Sequence, residues 1–108
     1  MPTNSTRAEF FSEVYEIVKQ IPPGKVLTYG DIARLVGKPQ RSRMVGQAMF
    51  NAPSELHLPC HRVVNHQGAI APHWLEQREL LEQEGVSFKK SGCVDMKKHL
   101  WNTDLLLP

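Results

Sequence analysis

Cys60, His61 and Arg62 stand in one run, Pro59-Cys60-His61-Arg62-Val63-Val64, and are the residues of this chain best suited to covalent chemistry. A cysteine attacks as its thiolate, so it needs a base or a cation beside it, partial access and a shaped pocket. His61 supplies the base and Arg62 adds positive charge. Adjacent side chains on a strand point to opposite faces, so a Cys60–His61 relay requires the chain to turn here or a water to bridge the two. Pro59 restricts Leu58 to extended geometry and makes a turn at Cys60 the expectation. The same residues allow a second reading, in which Cys60 is a small buried hydrophobe, the commonest role of a free cysteine.

A metal centre is the other chemistry this segment suggests, because His57, Cys60, His61 and His66 fall within ten residues. Zinc sites draw paired ligands from two separated knuckles, and a second pair is missing; Cys93 stands alone near a turn. No metal is expected. With no phosphate loop and no dinucleotide fingerprint in the chain, no cofactor is expected either.

The whole chain bounds these possibilities. Its 108 residues, 41% hydrophobic and 22% charged, read as one globular domain over 1–108 with a frayed N-terminus at about 1–6 and no separate N-terminal domain. No apolar run approaches the ~20 residues that span a bilayer, and MPTNSTRAEF has no signal-peptide core. Two cysteines are too few for a disulfide scaffold, so the expected setting is reducing and intracellular, cytoplasmic (nucleoid) or nuclear. The net charge of +2 is unevenly spread. From Ile32 to Trp74 the bases Arg34, Lys38, Arg41, Arg43 and Arg62 face a single acid, Glu55, while Glu76, Glu79, Glu82 and Glu84 compensate further on. A basic stretch of this kind suits a polyanion such as DNA, and a solvated basic face would look the same.

The elements that must position Cys60 follow from periodicity. Phe10, Phe11, Val14, Tyr15, Ile17, Val18 and Ile21 recur at helical spacing, with Ser5 or Thr6 as cap and Pro22-Pro23-Gly24 as stop. Lys25-Val26-Leu27 leans towards strand. Thr28 then caps a second helix carrying Ile32, Ala33, Leu35 and Val36, with Asp31 as a shortened capping box, and Gly37-Lys38-Pro39 ends it. A third helix is predicted over Gln40 to Asn51, with Val45, Ala48 and Met49 as its apolar seam and Arg41 and Gly46 away from it. Two short helices across a Gly-containing turn make a helix-turn-helix. His66-Gln67-Gly68 reads as a hairpin-like turn. Leu75 to Gln83 is a last helix with Leu80 and Leu81 inward and Gly85 as its C-terminal cap. Val86-Ser-Phe88 and Val94-Asp-Met96 read as a small hairpin or wing. The fold class is mainly α with a small β element, a winged helix-turn-helix-like domain.

These residues carry a resemblance. Pro59-Cys60-His61-Arg62-Val63-Val64 resembles the active-site signature of the O6-alkylguanine-DNA alkyltransferases. Pro23-Gly-Lys-Val-Leu-Thr-Tyr29-Gly-Asp-Ile-Ala is similar to the start of their helix-turn-helix. Arg43-Met-Val-Gly46-Gln-Ala-Met49 with Asn51 is similar to their recognition helix and hinge, and Leu80-Leu-Glu-Gln-Glu84-Gly85 to their closing helix. The match runs over about residues 9–88 in the family's order.

The resemblance implies roles. Cys60 would accept an alkyl group from O6 of a damaged guanine, once per molecule. His61, through a water, would take the thiol proton, and Glu84 would orient His61. Tyr29 would donate a proton to the departing guanine and help rotate the nucleotide outward, and Asn51 would brace the turn into the active-site segment. Base O6 is hidden in the duplex, so the nucleotide must be flipped out; Arg43 resembles the arginine that fills the gap. The family's recognition helix enters the minor groove, where the small Gly46 and Ala48 would permit close approach. Gln40, Arg41, Ser42 and Thr28 would meet the DNA backbone, and Pro59 would wall the substrate pocket, with either His73 and Trp74 replacing the family's loop there or Trp74 belonging to the core. The implied partner is double-stranded DNA containing O6-alkylguanine, bound by a monomer.

Two departures stand out. The stretch Ala69-Ile-Ala-Pro72-His73-Trp74-Leu-Glu-Gln-Arg is shorter than the family's loop and lacks its paired glycines. The tail from about 86 to 108, with Gly92-Cys-Val-Asp95-Met-Lys-Lys-His-Leu-Trp101, resembles that of the alkyltransferase-like proteins, which bind O6-alkylguanine DNA without repairing it and hand it to nucleotide excision repair. Those relatives hold tryptophan or alanine where this chain keeps Cys60. Alkyl transfer, lesion sensing and simple DNA-binding regulation are therefore the three functions compatible with the sequence.

Overall fold

A computed structural model describes residues 7–104 of the chain. Ser5, Thr6 and the segment 1–6 lie outside the described residues, as does 105–108. The described chain runs α1 (Arg7–Val18), β1 (Leu27–Thr28), α2 (Tyr29–Leu35), α3 (Ser42–Phe50), β2 (Val63–Val64), α4 (Glu76–Gln83) and α5 (Met96–His99), with 3-10 turns at Pro39–Arg41, Ser54–Leu56 and Cys60–Arg62. It is mostly helical with a two-stranded sheet, as the patterning implies.

The sheet divides the core in two. β1 and β2 pair in parallel, Leu27 opposite Val63 and Thr28 opposite Val64. Because strand side chains alternate, Leu27 and Val63 join Phe10, Val14, Val18, Ile21, Ile32, Ala33, Val45 and Ala48 in one cluster, while Val26 and Val64 join Leu81, Val86 and Val94 in the other. The first cluster seats the helix-turn-helix on α1, and Tyr15 fastens it by donating its hydroxyl proton to the Ala48 carbonyl at 2.9 Å.

The turns follow the residue chemistry. Thr28 accepts from the Asp31 amide at 3.0 Å while the Asp31 carboxylate accepts from the Thr28 amide at 3.3 Å, so the shortened capping box is complete. Gly24, at φ +85°, brings the exit of α1 so close to the end of α4 that a Cβ would meet the Glu84 carbonyl at 3.3 Å. Gly68, at φ +87°, is tighter: a Cβ there would stand 2.9 Å from the Val94 carbonyl.

Several boundaries differ from expectation. α1 ends at Val18, and Ile21 is buried beyond it in the turn. The third helix is a 3-10 turn at Pro39–Arg41, with Pro39 at its first position, followed by α3. Leu81 is fully buried but Leu80 is only half-buried, and Leu75 flanks α4 fully in solvent. The predicted wing reduces to one antiparallel bridge, Phe88 with Val94, and Met96 opens α5 rather than extending a strand. Beyond α5 the tail returns to the sheet, Leu100 bridging Val26 in parallel through Val26 N–H to His99 at 2.9 Å and Trp101 N–H to Val26 at 2.9 Å.

Candidate active site and nucleic-acid interface

The turn expected at Cys60 is present and has an identifiable cause. Pro59 sits at φ −79° and ψ +61°, the centre of an inverse γ-turn, closed by the Cys60 amide donating to the Leu58 carbonyl at 2.8 Å. The chain then coils once through Cys60–Arg62 and enters β2. Proline suits this position because its ring already fixes φ near the required value.

Cys60 lines a cavity of about 360 Å³ together with Tyr29, Gly46, Met49, Phe50, Val63, Ala71, His73, Trp74 and Gln77. Each wall comes from a different element: Tyr29 opens α2, Gly46 to Phe50 belong to α3, Val63 to β2, Gln77 to α4 and Ala71 to Trp74 to the short loop. Burial pushes the Cys60 thiol up, against an opposing pull from its own backbone amide. Burial also raises the Tyr29 hydroxyl, and the Cys60 thiolate adds to that rise. Both groups therefore rest protonated, and activating the thiol requires a base.

The imidazole next in the chain, His61, is held by a carboxylate. Its Nε2 stands 2.9 Å from Glu84 Oε2, at the C-terminal end of α4. Arg62 grips the same carboxylate, Nε to Oε1 at 3.0 Å and a terminal nitrogen to Oε2 at 2.6 Å, and donates from its other arm to the Ile21 carbonyl at 2.7 Å. The Arg62 guanidinium, aided by His61 and opposed by burial, holds the Glu84 carboxyl down to about 2. An ionised Glu84 accepts the proton of His61 Nε2–H and leaves Nδ1 as the basic nitrogen. Arg62 thus serves the carboxylate rather than the thiol, contrary to the expectation that it would add charge beside Cys60.

Gln77 is the buried polar residue that sequence reasoning missed. It is 1% exposed. Its Oε1 accepts from the Ala71 amide at 2.6 Å, and its Nε2 donates to the His61 carbonyl at 3.2 Å and the Val63 carbonyl at 3.0 Å. One side chain thereby ties α4 to the Cys60–Arg62 turn and to the short loop. The available signal was its spacing: Gln77 lies four residues before Leu81, on the same inward helical face.

The other expected residues are placed as follows. Trp74 lines the cavity, whereas Pro59 shapes the turn and is absent from the wall. Asn51 caps the end of α3, its Nδ2 donating to the Gln47 carbonyl at 2.8 Å, so its bond stays within that helix. Gln40, Arg41, Ser42 and Arg43 are all exposed at the start of α3. Thr28 does not join them; it is buried and its hydroxyl caps α2. Gly46 opens on free space, but Ala48 is fully buried and belongs to the core, so only the glycine allows close approach from outside. Among the described residues no three His, Cys, Asp or Glu side chains gather as a metal site, and Cys60 and Cys93 are free thiols.

The turn, the cavity and the helix pair occur in the segment that the family model "6-O-methylguanine DNA methyltransferase, DNA binding domain" matches, residues 9–86. The chain belongs to this family. Alkyltransferase-like protein 1 of Schizosaccharomyces pombe is 43% identical, over 85% of this chain and 90% of the relative. A DNA base-flipping protein of Escherichia coli is also 43% identical, over 86% of this chain and 74% of the relative. Among solved structures, S. pombe Atl1 in complex with damaged DNA containing O6-carboxymethylguanine superposes with a TM-score of 0.78 at 39% identity, covering 94% of this chain and 99% of that one. Membership accounts for the helix-turn-helix on which the cavity is mounted. No helix among the described residues is long and apolar enough to cross a membrane.

Proposed function

We propose that this protein binds duplex DNA through α2 and α3, takes an O6-alkylguanine into the Cys60 cavity and transfers the alkyl group to the Cys60 sulfur. The observation that carries this reading is the thiol in the cavity wall beside a tyrosine, with a histidine next in the chain already oriented by an ionised glutamate. In the transfer, Cys60 gives its proton to His61 Nδ1 through a water. The sulfur then forms a bond to the alkyl carbon as that carbon's bond to guanine O6 breaks. The departing guanine anion takes a proton from the Tyr29 hydroxyl. One thioether and one repaired guanine result, and the protein is spent.

The DNA face is the exposed run Gln40, Arg41, Ser42 and Arg43. Between Asp31 and Glu55 the chain has no acid, so this run itself offers phosphates only cationic and neutral side chains. Arg43 fills the space the flipped nucleotide leaves, and Gly46 lets the α3 backbone approach the groove.

A second reading, in which the lesion is held without transfer and presented to excision-repair proteins, is favoured by the raised Cys60 thiol and by the likeness to an alkyltransferase-like protein along nearly its whole length. Chromatography of the nucleosides from a duplex with one O6-methylguanine, incubated with excess protein, separates the two. Conversion of O6-methylguanine to guanine supports transfer. Retention of O6-methylguanine in a tightly bound duplex supports sensing.

A further inference from the structure

Phe50 is the last residue of α3 and is 80% exposed. Among the described residues the other exposed large apolar side chains are Leu56, Leu75 and Leu100. Of the four, Phe50 alone lines the Cys60 cavity. An aromatic ring left in water at the edge of a cavity gains most when a flat apolar partner covers it.

We propose that Phe50 stacks on the extrahelical guanine and so sets the preference for damaged over intact DNA. This inference rests on the base-binding half of the proposed function and not on the transfer step. The occupant follows from three features of α3. Its first turn and the residues before it carry Arg41 and Arg43, in a run from Ile32 to Ser54 that holds no acid, which fits a phosphodiester backbone. Its middle residue Gly46 is open to solvent on the cavity side. Its last residue is the exposed ring. A strand lying along the helix therefore meets cations first and an aromatic face at the cavity, the combination that binds an unpaired base. A base kept in the duplex stack has no free face to offer, so the contact discriminates between a flipped and an unflipped nucleotide.

Phe50 is exposed and belongs to neither core cluster, so its replacement is expected to leave the fold intact. The test is fluorescence anisotropy with a labelled duplex carrying one O6-methylguanine and with the same duplex unmodified. Phe50→Ala and Phe50→Leu are expected to lose roughly 5- to 150-fold on the damaged duplex and to stay within about twofold on the intact one. Phe50→Trp is expected to bind both duplexes as the native chain does. Native-like binding by Phe50→Ala, equal losses on both duplexes, or Phe50→Leu matching Phe50→Trp would each overturn the stacking role. Selective, Phe50-dependent binding without methyl transfer leaves the stacking role standing and removes the transfer step. A native chain with no preference for the lesion removes both.

Discussion

His61 and Glu84 meet through Nε2 and Oε2 at 2.9 Å, although 23 residues separate them. The contact joins the Cys60–Arg62 turn to the end of α4, and Arg62 fixes it by holding the same oxygen at 2.6 Å. The imidazole is thereby committed to one orientation before any substrate arrives. In the proposed transfer such preorganisation removes the entropy of finding that orientation.

Glu84 also links this site to acid stability. Its carboxyl is held at about 2, against 4.5 ordinarily. A depressed carboxyl contributes stability that is complete above its unfolded value and is lost as pH falls through the folded one. Thermal melts of the native chain and of Glu84→Gln should differ by several degrees at neutral pH and converge between about pH 4.5 and 2. A gap that persists unchanged at pH 2 would show that Glu84 is not the group responsible.

Gln77→Leu removes three hydrogen bonds at once and leaves the Ala71 amide and the His61 and Val63 carbonyls buried without it. The expected loss is about 2–3 kcal/mol in urea unfolding. Because the short loop hangs on this side chain, lesion binding should weaken as well. A fully stable variant with normal binding would contradict its role as the tie.

The sequence made the scaffold legible but not this tie. Periodicity and turn chemistry placed α1, the Thr28 cap, the helix pair and the turn at Cys60, because each depends on residues close in the chain. The Arg62–Glu84–Ile21 clamp, the Gln77 hub and the return of Leu100 to Val26 join residues far apart, and local pattern carries no distance information. Thr28 and Ala48 each carried two expectations, and the structure keeps the cap and the core seat that local pattern gave them, away from the DNA-facing positions that the resemblance implied. Phe50 reads as one more apolar residue at the end of a helix until its exposure is known.

Arg43 and Lys90 test the DNA face, since both are exposed cations on different parts of the molecule. Arg43→Ala should weaken binding to a lesion-containing duplex about tenfold or more, and flatten the salt dependence of affinity by about one ion. Lys90→Ala, on the hairpin at the far end of the chain, should change little. Equal small losses from both would contradict the docking surface.

Gly68→Ala places a Cβ 2.9 Å from the Val94 carbonyl at φ +87°. The expected cost is about 1–3 kcal/mol, seen as a lower Tm. Because Gly68 also accepts from the Val94 amide at 2.9 Å, amide exchange should accelerate first at Val94 and in the tail beyond it. Uniform protection, unchanged from the native chain, would contradict the close approach.

Alkyl transfer to Cys60 is tested most directly by intact-protein mass spectrometry after incubation with duplex DNA holding a single O6-methylguanine, with Cys60→Ala alongside. A gain of one methyl group in place of one hydrogen is expected, mapped to Cys60 by peptide fragmentation and absent from the variant. An unchanged mass in a protein that binds the lesion tightly and selectively would contradict transfer and leave a lesion-binding protein that carries an idle thiol.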